Sequence, residues 1–498
     1  MERASRSNET MSPAPRATAR VIIVGGGVTG LTAAHRVLQG ARARGGPDVH
    51  VTVLERRTEL GGNIRTETLD GFVIDGGPDA WVAAKPQATA LARELGLGDQ
   101  LIGTTPSNRR LYIQHKGELH TLPEGVLLTV PTQLLPFVRS RLMSWSGKGR
   151  MALDLALPRA RASRDESLAD FVRRRLGREA LERLAEPLMG GIYAGNVEAL
   201  SIRSTFPQLV EMEEKHGSLI RGSLALLASR GQTKGSPPPS AFFALRGGMT
   251  GLISALRDHI VAAGADVRLG ARCLEITRPR GGILAPPSPR YLVRVLAASG
   301  EALLPADAVL LSTPAYEAAA ATQTFDPEMA GLLREIPYLS TATIALAFRR
   351  ADVPHPLDAV GVILPKAEGR RILAATFISS KWEGRAPEGT TLLRVFVGGD
   401  RDPHALDQDD DALVDLAKAE LAAVLDVRAA PLFTRVFRFE RANAQPIVGH
   451  QERLRRLQRR VEQHPGLHLA GAAFHGVGIP DCVRQANEVA ARIVAAHA

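Results

Sequence analysis

The chain is poor in the residues that most directly announce a chemistry. Its 498 residues include two cysteines, Cys273 and Cys482. Two thiols build no disulfide framework, and with no CxxC pair or Cys/His cluster the expected metal ligands are none. A reducing cytoplasmic setting is the plain expectation. Aromatic residues make up 4% of the chain, so Ala and the aliphatic side chains must fill most of the core. No uninterrupted apolar run approaches the roughly 20 residues that span a bilayer, so any membrane contact is expected to be peripheral or monotopic. The opening MERASRSNETMSPAPRATAR lacks the apolar stretch of a secretory signal. It reads as a flexible leader, with Met11 an alternative start. Positive charge, by contrast, is in excess at +10. That balance suits nucleic acid, anionic lipid or an anionic small molecule. No nucleic-acid-binding signature interleaves aromatics with the arginines, so nucleic acid is not expected as a partner.

What is present is a globular composition, 45% apolar and 23% charged, in a chain long enough for two or three domains. Its strongest local signal is RVIIVGGGVTGLTAAHRVLQGARARGGPDVHVTVLERR. Residues 20–24 read as a short apolar strand, 29–42 as a helix and 49–54 as a second strand ending in Glu55. Gly25, Gly27 and Gly30 give the spacing GxGxxG, with Gly26, Val28 and Thr29 between them. Gly25 allows the tight turn, Gly27 lets the backbone approach a pyrophosphate, and Gly30 lets helix and strand pack closely. The helix N-terminus adds unpaired N–H groups and partial positive charge. Glu55 stands where a ribose hydroxyl would bind, which favours FAD or NAD. Arg56 and Arg57 suit a 2′-phosphate, but the carboxylate at the strand end would repel one, so NADP ranks low.

Further on, DAVLLSTPAYEAA reads as a buried strand ending in a Thr-Pro turn. The runs TATIALAFRR, AVGVILP, RILAATFISS and TLLRVFVGGD predict an antiparallel sheet. ALVDLAKAELAAVLDV predicts an amphipathic helix. RGQTKGSPPPSA, from Arg230, and RPRGGILAPPSPR, from Arg278, predict exposed loops, the second an elaborated hairpin. The region from about 106 to 200 differs. There Leu134, Leu135, Phe137, Val138, Leu142, Met143 and Trp145 mix with Arg139, Arg141, Lys148, Arg150, Arg159, Arg161 and Arg164. The mixture suits a monotopic anchor on anionic lipid, or else a helical subdomain with a solvated basic face.

After Glu55, the stretch ERRTELGGNIRTETLDGFVIDGGPDAW carries Gly61–Gly62, Arg65 and Gly76–Gly77. It resembles the glutathione-reductase-2 type of FAD fold, shared by amine oxidases, phytoene desaturases and protoporphyrinogen oxidases. RGGMTGLISALRDHIVAAGADVRLGARCLEI, read as a helix followed by two strands, is similar to that group's middle segment. The resemblance implies FAD as cofactor, with Gly62, Asn63, Gly77, Pro78 and Asp79 near its pyrophosphate and flavin, and Arg56 beside them. It also implies that the main chain at Cys273 touches the adenine, a plain packed strand residue being the alternative.

Four stretches, NRRLYIQHKGELHTLP, EPLMGGIYAGNVEALSIRSTFPQL, FISSKWEGRAPEGT and AGAAFHGVGIPDCVRQAN, resemble the oxygen-dependent protoporphyrinogen oxidases. The likeness runs from about Arg20 to the C-terminus. It implies an α/β fold class: a Rossmann-type FAD-binding domain built from discontinuous segments, an α+β substrate domain with an antiparallel sheet, and a helical membrane-facing subdomain. The expected division is a leader (1–17), FAD-binding parts (18–76, 238–316, 434–498), substrate parts (77–105, 200–237, 317–433) and the helical part (106–199). The implied activity oxidises protoporphyrinogen IX to protoporphyrin IX with O2, releasing H2O2, in haem biosynthesis. A site on the cytoplasmic face of the inner membrane, a homodimer and contact with ferrochelatase are further expectations.

Carried over residue by residue, the resemblance makes Arg109 the partner of a substrate propionate, a role suited to a fixed, always charged guanidinium. Ile363 and Trp382 would sandwich the tetrapyrrole, core packing being the alternative. Gly191 and Ala194 would bring backbone to the substrate beside the flavin. Val477, Gly478 and Ile479 would approach the isoalloxazine, and the helix they open would stabilise the anionic reduced flavin. No catalytic acid or base is assigned, since His120, His450 and His475 are scattered and read as structural. Cys482 reads as a small helix residue and not a redox centre. Two departures stand out: Arg110 beside Arg109, and Pro446 in place of a usual Tyr. Coproporphyrinogen III is the alternative substrate, kept open by Arg110. A flavin amine oxidase, a carotenoid desaturase and a non-catalytic FAD-binding scaffold are the more remote alternatives.

Overall fold

The computed structural model describes residues 18–43, 49–123, 125–127, 129–131, 133–160, 165–229, 240–279 and 289–497. The proposed leader, the tips of both proline-rich loops, and Arg161 and Arg164 lie outside them. A five-stranded parallel sheet has the order Asp266–Arg268, Val49–Leu54, Ala19–Val24, Ala308–Leu311, Leu467–Leu469. Its central strands are buried nearly throughout, as a parallel sheet covered on both faces requires. Side chains alternate between two cores. Val21 and Ile23 pack in the cluster that holds Leu31 and Ala34 of the first helix (Val28–Ala43) and Val483 and Val489 of the final helix (Ile479–Ala496). Ile22 and Val24 face the cluster built on Val293, Val295 and the helices Ala315–Thr322 and Pro327–Arg334.

A seven-stranded sheet stands against this unit. Its order is Phe433–Ala444, Tyr338–Arg349, Thr390–Gly398, Ile372–Phe377, Gly361–Ile363, Tyr112–His115, Glu118–Thr121. All its pairings are antiparallel except that of Gly361–Ile363 with Tyr112–His115. The four runs read as an antiparallel sheet are its middle strands. Both edges correct the expected boundaries. Tyr112–Thr121 was assigned to the helical part and Phe433–Ala444 largely to the last FAD part; each pairs instead with this sheet. Such pairing is non-local, so nothing within either segment announces the partner.

The helical part has a core of its own that runs from Val130 to Ile220 and takes in Ile113 of the seven-stranded sheet. It continues through Ile202–Thr205, Pro207–His216 and Leu219–Ser229, so most of the stretch expected as the second substrate part packs in the helical core. Arg175 and Asp154 are wholly buried at its centre. Arg175 Nε donates to Asp154 Oδ1 at 2.7 Å, and Ser218 Oγ and the Ile220 N–H donate to Oδ2 at 2.6 and 3.0 Å. Such a pair adds little net stability, but removing one partner costs about 3–5 kcal/mol. Among the described residues no helix is long and apolar enough to cross a membrane.

Candidate active site

The first glycine turn separates its three tasks. Gly25 has φ +113° and donates its N–H to Leu54 O at 2.8 Å. A Cβ at Gly30 would overlap the Gly25 carbonyl and come within 2.7 Å of Ser312 Oγ. A Cβ at Gly27 would meet nothing within 4 Å. Gly27 therefore faces open space, and it bridges to Gly61. Gly62 lies across it, its virtual Cβ 3.7 Å from Gly27 Cα. This is a cradle that any side chain would narrow, opened toward the start of a helix with no acid in its first turn. Glu55 is 8% exposed. Its Oε2 accepts the Gly26 N–H at 2.8 Å and its Oε1 the Arg57 N–H at 2.9 Å, which fixes the carboxylate at the mouth of the cradle.

The cation beside the cradle is not the one expected. Arg56 reaches outward to Glu317, Nη1 to Oε1 2.6 Å. Arg57 Nη1 instead donates to Gly62 O at 2.9 Å. Burial first, then the neighbouring Arg65 and Arg56, lower the Arg57 pKa from its ordinary value, with Glu55 opposing them. The sequence offers Arg57 only as a 2′-phosphate partner beside Arg56, because consecutive arginines do not reveal which one turns inward.

Further along, the Asn63 carbonyl sits where a Cβ of Gly77 would lie, while the Asn63 side chain is exposed. Pro78 is half-buried. Asp79 is the hub of an ion cluster: Lys381 Nζ at 2.8 Å, Trp382 Nε1 at 2.9 Å and Arg394 Nη2 at 3.2 Å. Although its own burial opposes ionisation most strongly, Lys381 and Arg394 together hold the carboxyl well below the usual carboxylate range. Arg394 also donates to Gly77 O at 2.8 Å, tying the segment after the strand Phe72–Asp75 to the seven-stranded sheet. Trp382 has no exposed surface. It packs in the core and spends its indole N–H on Asp79, so the tetrapyrrole wall expected of it is corrected to a structural role. Cys273 is half-buried beside a bulge in the strand Arg272–Thr277, its thiol pushed up to about 12 by burial.

At the second glycine turn Val477 and Gly478 are half-buried and Ile479 is buried. Val477 packs on the helical core that also holds Tyr193, so this turn and the Gly191–Ala194 segment share one packed unit. No side chain caps the helix that begins at Ile479. Asp481, in its first turn, pairs with Lys85 Nζ at 2.7 Å, which offsets part of the positive end expected there. Cys482 is buried and its thiol rises to about 11, chiefly through burial, as fits an inert packing residue.

On the substrate side, Gly191 is exposed and a Cβ there would meet nothing within 4 Å. Ala194 ends the short helix in the left-handed region. Ile363 is half-buried beside Ile113. Arg109 is exposed, in a loop that packs on the chain before Trp382: Asn108 Nδ2 donates to Ser380 O at 3.1 Å. Arg110 pairs with Asp358 at 3.2 Å, and the Tyr112 hydroxyl donates to the same carboxylate at 2.8 Å. The extra cation is thus paired within the chain. Pro446, the other departure, accepts the Ser201 N–H at 2.9 Å. Burial lowers the His450 pKa to about 4, so it is neutral at physiological pH.

The open glycine cradle, the acid at its mouth and Arg57 beside it fit an elongated dinucleotide. Known proteins give the same answer. The profile of flavin containing amine oxidoreductases matches residues 28–494, and the chain belongs to that family; its cofactor is FAD, and it is an oxidoreductase. Within the family the chain is similar to coproporphyrinogen III oxidase of Bacillus subtilis, 33% identical over 93% of this chain and 96% of that one. It is also similar to chloroplastic protoporphyrinogen oxidase 1 of Spinacia oleracea, 28% identical over 95% of this chain and 84% of that one. A solved structure from Exiguobacterium sp. 255-15, provisionally named a protoporphyrinogen oxidase, superposes with a TM-score of 0.81 at 31% identity, covering 97% of this chain and 100% of that one.

Proposed function

We propose that this chain oxidises a porphyrinogen to the porphyrin in haem biosynthesis, with coproporphyrinogen III as the substrate. The observation that carries the reading is similarity along nearly the whole chain to coproporphyrinogen III oxidases, at 33% and 32% identity in B. subtilis and Staphylococcus aureus. This reverses the order of the two substrates drawn from sequence. Protoporphyrinogen IX remains the second reading, favoured by the spinach relative at 28%.

Bound FAD would accept a hydride equivalent from the substrate and pass the electrons to O2, giving H2O2. The chain's residues do the rest. Glu55, Gly27, Gly62 and Arg57 hold the nucleotide end, and the Val477–Ile479 turn supports the ring. Arg109 binds a propionate at the rim. Gly191 leaves room for a flat macrocycle, and Ile363 offers it an apolar edge. Removing six hydrogens requires repeated presentation of the reduced bridges, so the protein's main contribution is orientation and exclusion of water. We assign no side-chain base. Leu135, Val138 and Trp145, exposed among Arg139 and Arg141, support a monotopic contact with anionic lipid on the cytoplasmic face of the membrane.

The test supplies both porphyrinogens to the purified yellow protein in air and follows porphyrin fluorescence and peroxide. Faster turnover of coproporphyrinogen III is expected. Preference for protoporphyrinogen IX moves the assignment to the second reading, and turnover of neither rejects both.

A further inference from the structure

We propose that Gln445 is a positioning residue whose carboxamide fixes the Tyr193–Gly195 turn, the backbone on which the porphyrinogen is held against FAD. The inference rests on the functional reading above.

The turn ends an unusual helix. Leu181–Gly190 is π-helical with Pro187 inside it, and Gly191–Tyr193 continues it. It stops at Ala194, with φ 49° and ψ 28°. A residue bearing a Cβ is strained there and stays only where its surroundings dictate it. The surroundings do so from three sides. The Asp400 N–H donates to Ala194 O at 2.9 Å. Gly399, itself at φ +66°, lies so close that a Cβ would overlap the Ala194 carbonyl. Gln445, 4% exposed, donates from Nε2 to Tyr193 O at 2.9 Å and to Asn443 O at 3.2 Å. Its Oε1 fills the place that a Cβ of Gly195 would take. The middle of the π-helix is also tied to the seven-stranded sheet and the loops beside it. Glu186 pairs with Arg401 Nη2 at 3.0 Å and accepts the Lys366 N–H at 3.0 Å, and Arg401 Nη1 donates to Ile372 O at 2.9 Å.

Between these ties, Gly191 opens onto free space and Ile192 is 59% exposed. The segment is rigidly backed on one side and bare on the other. That leaves one face of a fixed turn free to meet a flat ligand. An amide is required at Gln445. Two carbonyls converge on Nε2, and only a donor of two protons satisfies both. Glu donates one proton when protonated and none when ionised, and Leu leaves both carbonyls without this partner.

The test compares wild-type holoenzyme with Gln445→Leu and Gln445→Glu. Steady-state KM and kcat are measured with coproporphyrinogen III. The Kd for coproporphyrin III is read from its perturbation of flavin absorbance, alongside FAD affinity, melting temperature and the rate at which photoreduced flavin reacts with O2. In Gln445→Leu, KM and the porphyrin Kd are expected to rise about tenfold, with FAD affinity and O2 reactivity unchanged. Gln445→Glu should show the same defect at high pH and recover in part as pH falls and the carboxyl regains the one proton it can donate. If Gln445→Leu fails to fold, Gln445→Asn, one methylene short, carries the same two readouts. Unaltered KM and Kd in the variants overturn the inference while leaving the function standing. Equal loss of FAD and porphyrin affinity also overturns it, by marking a merely structural role. A wild type that oxidises neither porphyrinogen removes the function and this inference together.

Discussion

Asp79 shows how one carboxylate gathers partners from distant parts of the chain. It was singled out for its place after the Gly76–Gly77 pair, and its carboxylate proves to be occupied by Lys381, Arg394 and the Trp382 indole. Because its folded pKa is depressed, its contribution to stability is complete above the ordinary carboxylate value of about 3.9 and is lost as pH falls below it. Asp79→Asn should therefore lower the melting temperature at neutral pH, and the gap to wild type should narrow below about pH 4. An unchanged gap at low pH would show that the carboxylate charge is not what the cluster uses. Arg109 belongs to the same scale. Loss of a charge-assisted hydrogen bond costs about 1.5–3 kcal/mol, so Arg109→Ala should raise KM for coproporphyrinogen roughly tenfold or more, with kcat less affected. An unchanged KM would remove Arg109 from the site. At both residues the sequence reports the chemical type, and only neighbours from distant segments tell which partner that chemistry meets.

Among the elements, the first glycine turn was the most legible, because strand, turn, helix and strand are consecutive and each glycine answers a local constraint. Gly30→Ala should unfold the nucleotide unit or keep the protein from accumulating, since its Cβ overlaps the Gly25 carbonyl. Gly27→Ala should fold with near wild-type melting of the apoprotein but bind FAD more weakly, since its Cβ enters the open cradle. A calorimetric FAD titration separates the two outcomes. The second glycine turn was legible as a helix start. The sequence did not tell that Asp481 in that first turn would be answered by Lys85, nearly four hundred residues away. Least legible were the hairpin Tyr112–Thr121 and the strand Phe433–Ala444, which close the two sides of the seven-stranded sheet. Their partners are set by a sheet assembled from the rest of the chain, not by their own patterning.

The whole molecule is built from interleaved segments: the parallel sheet draws its strands from residues 19–24, 49–54, 266–268, 308–311 and 467–469. The helical part is packed by Phe137, Leu142 and Met143 inside, while Leu135, Val138, Trp145, Leu153 and Leu155 stay exposed. Exposed apolar side chains beside arginines predict binding to anionic vesicles that weakens with salt. Replacing Leu135, Val138 and Trp145 together by Ser should abolish co-sedimentation with phosphatidylglycerol vesicles without lowering turnover of a detergent-dispersed substrate. Retained binding would remove that face from consideration.

By itself the sequence determined the nucleotide turn, its acid, the strand-rich middle and the helix that closes the chain, because each depends on residues close together along the backbone. The tertiary structure decided what distance along the chain conceals. It buried Trp382 against Asp79, turned Arg57 and not Arg56 toward the glycines, paired Arg110 with Asp358, and pinned the Gly191–Gly195 platform with Gln445. Those choices turn on which side chains meet when segments hundreds of residues apart are packed together, and a local pattern carries no record of that.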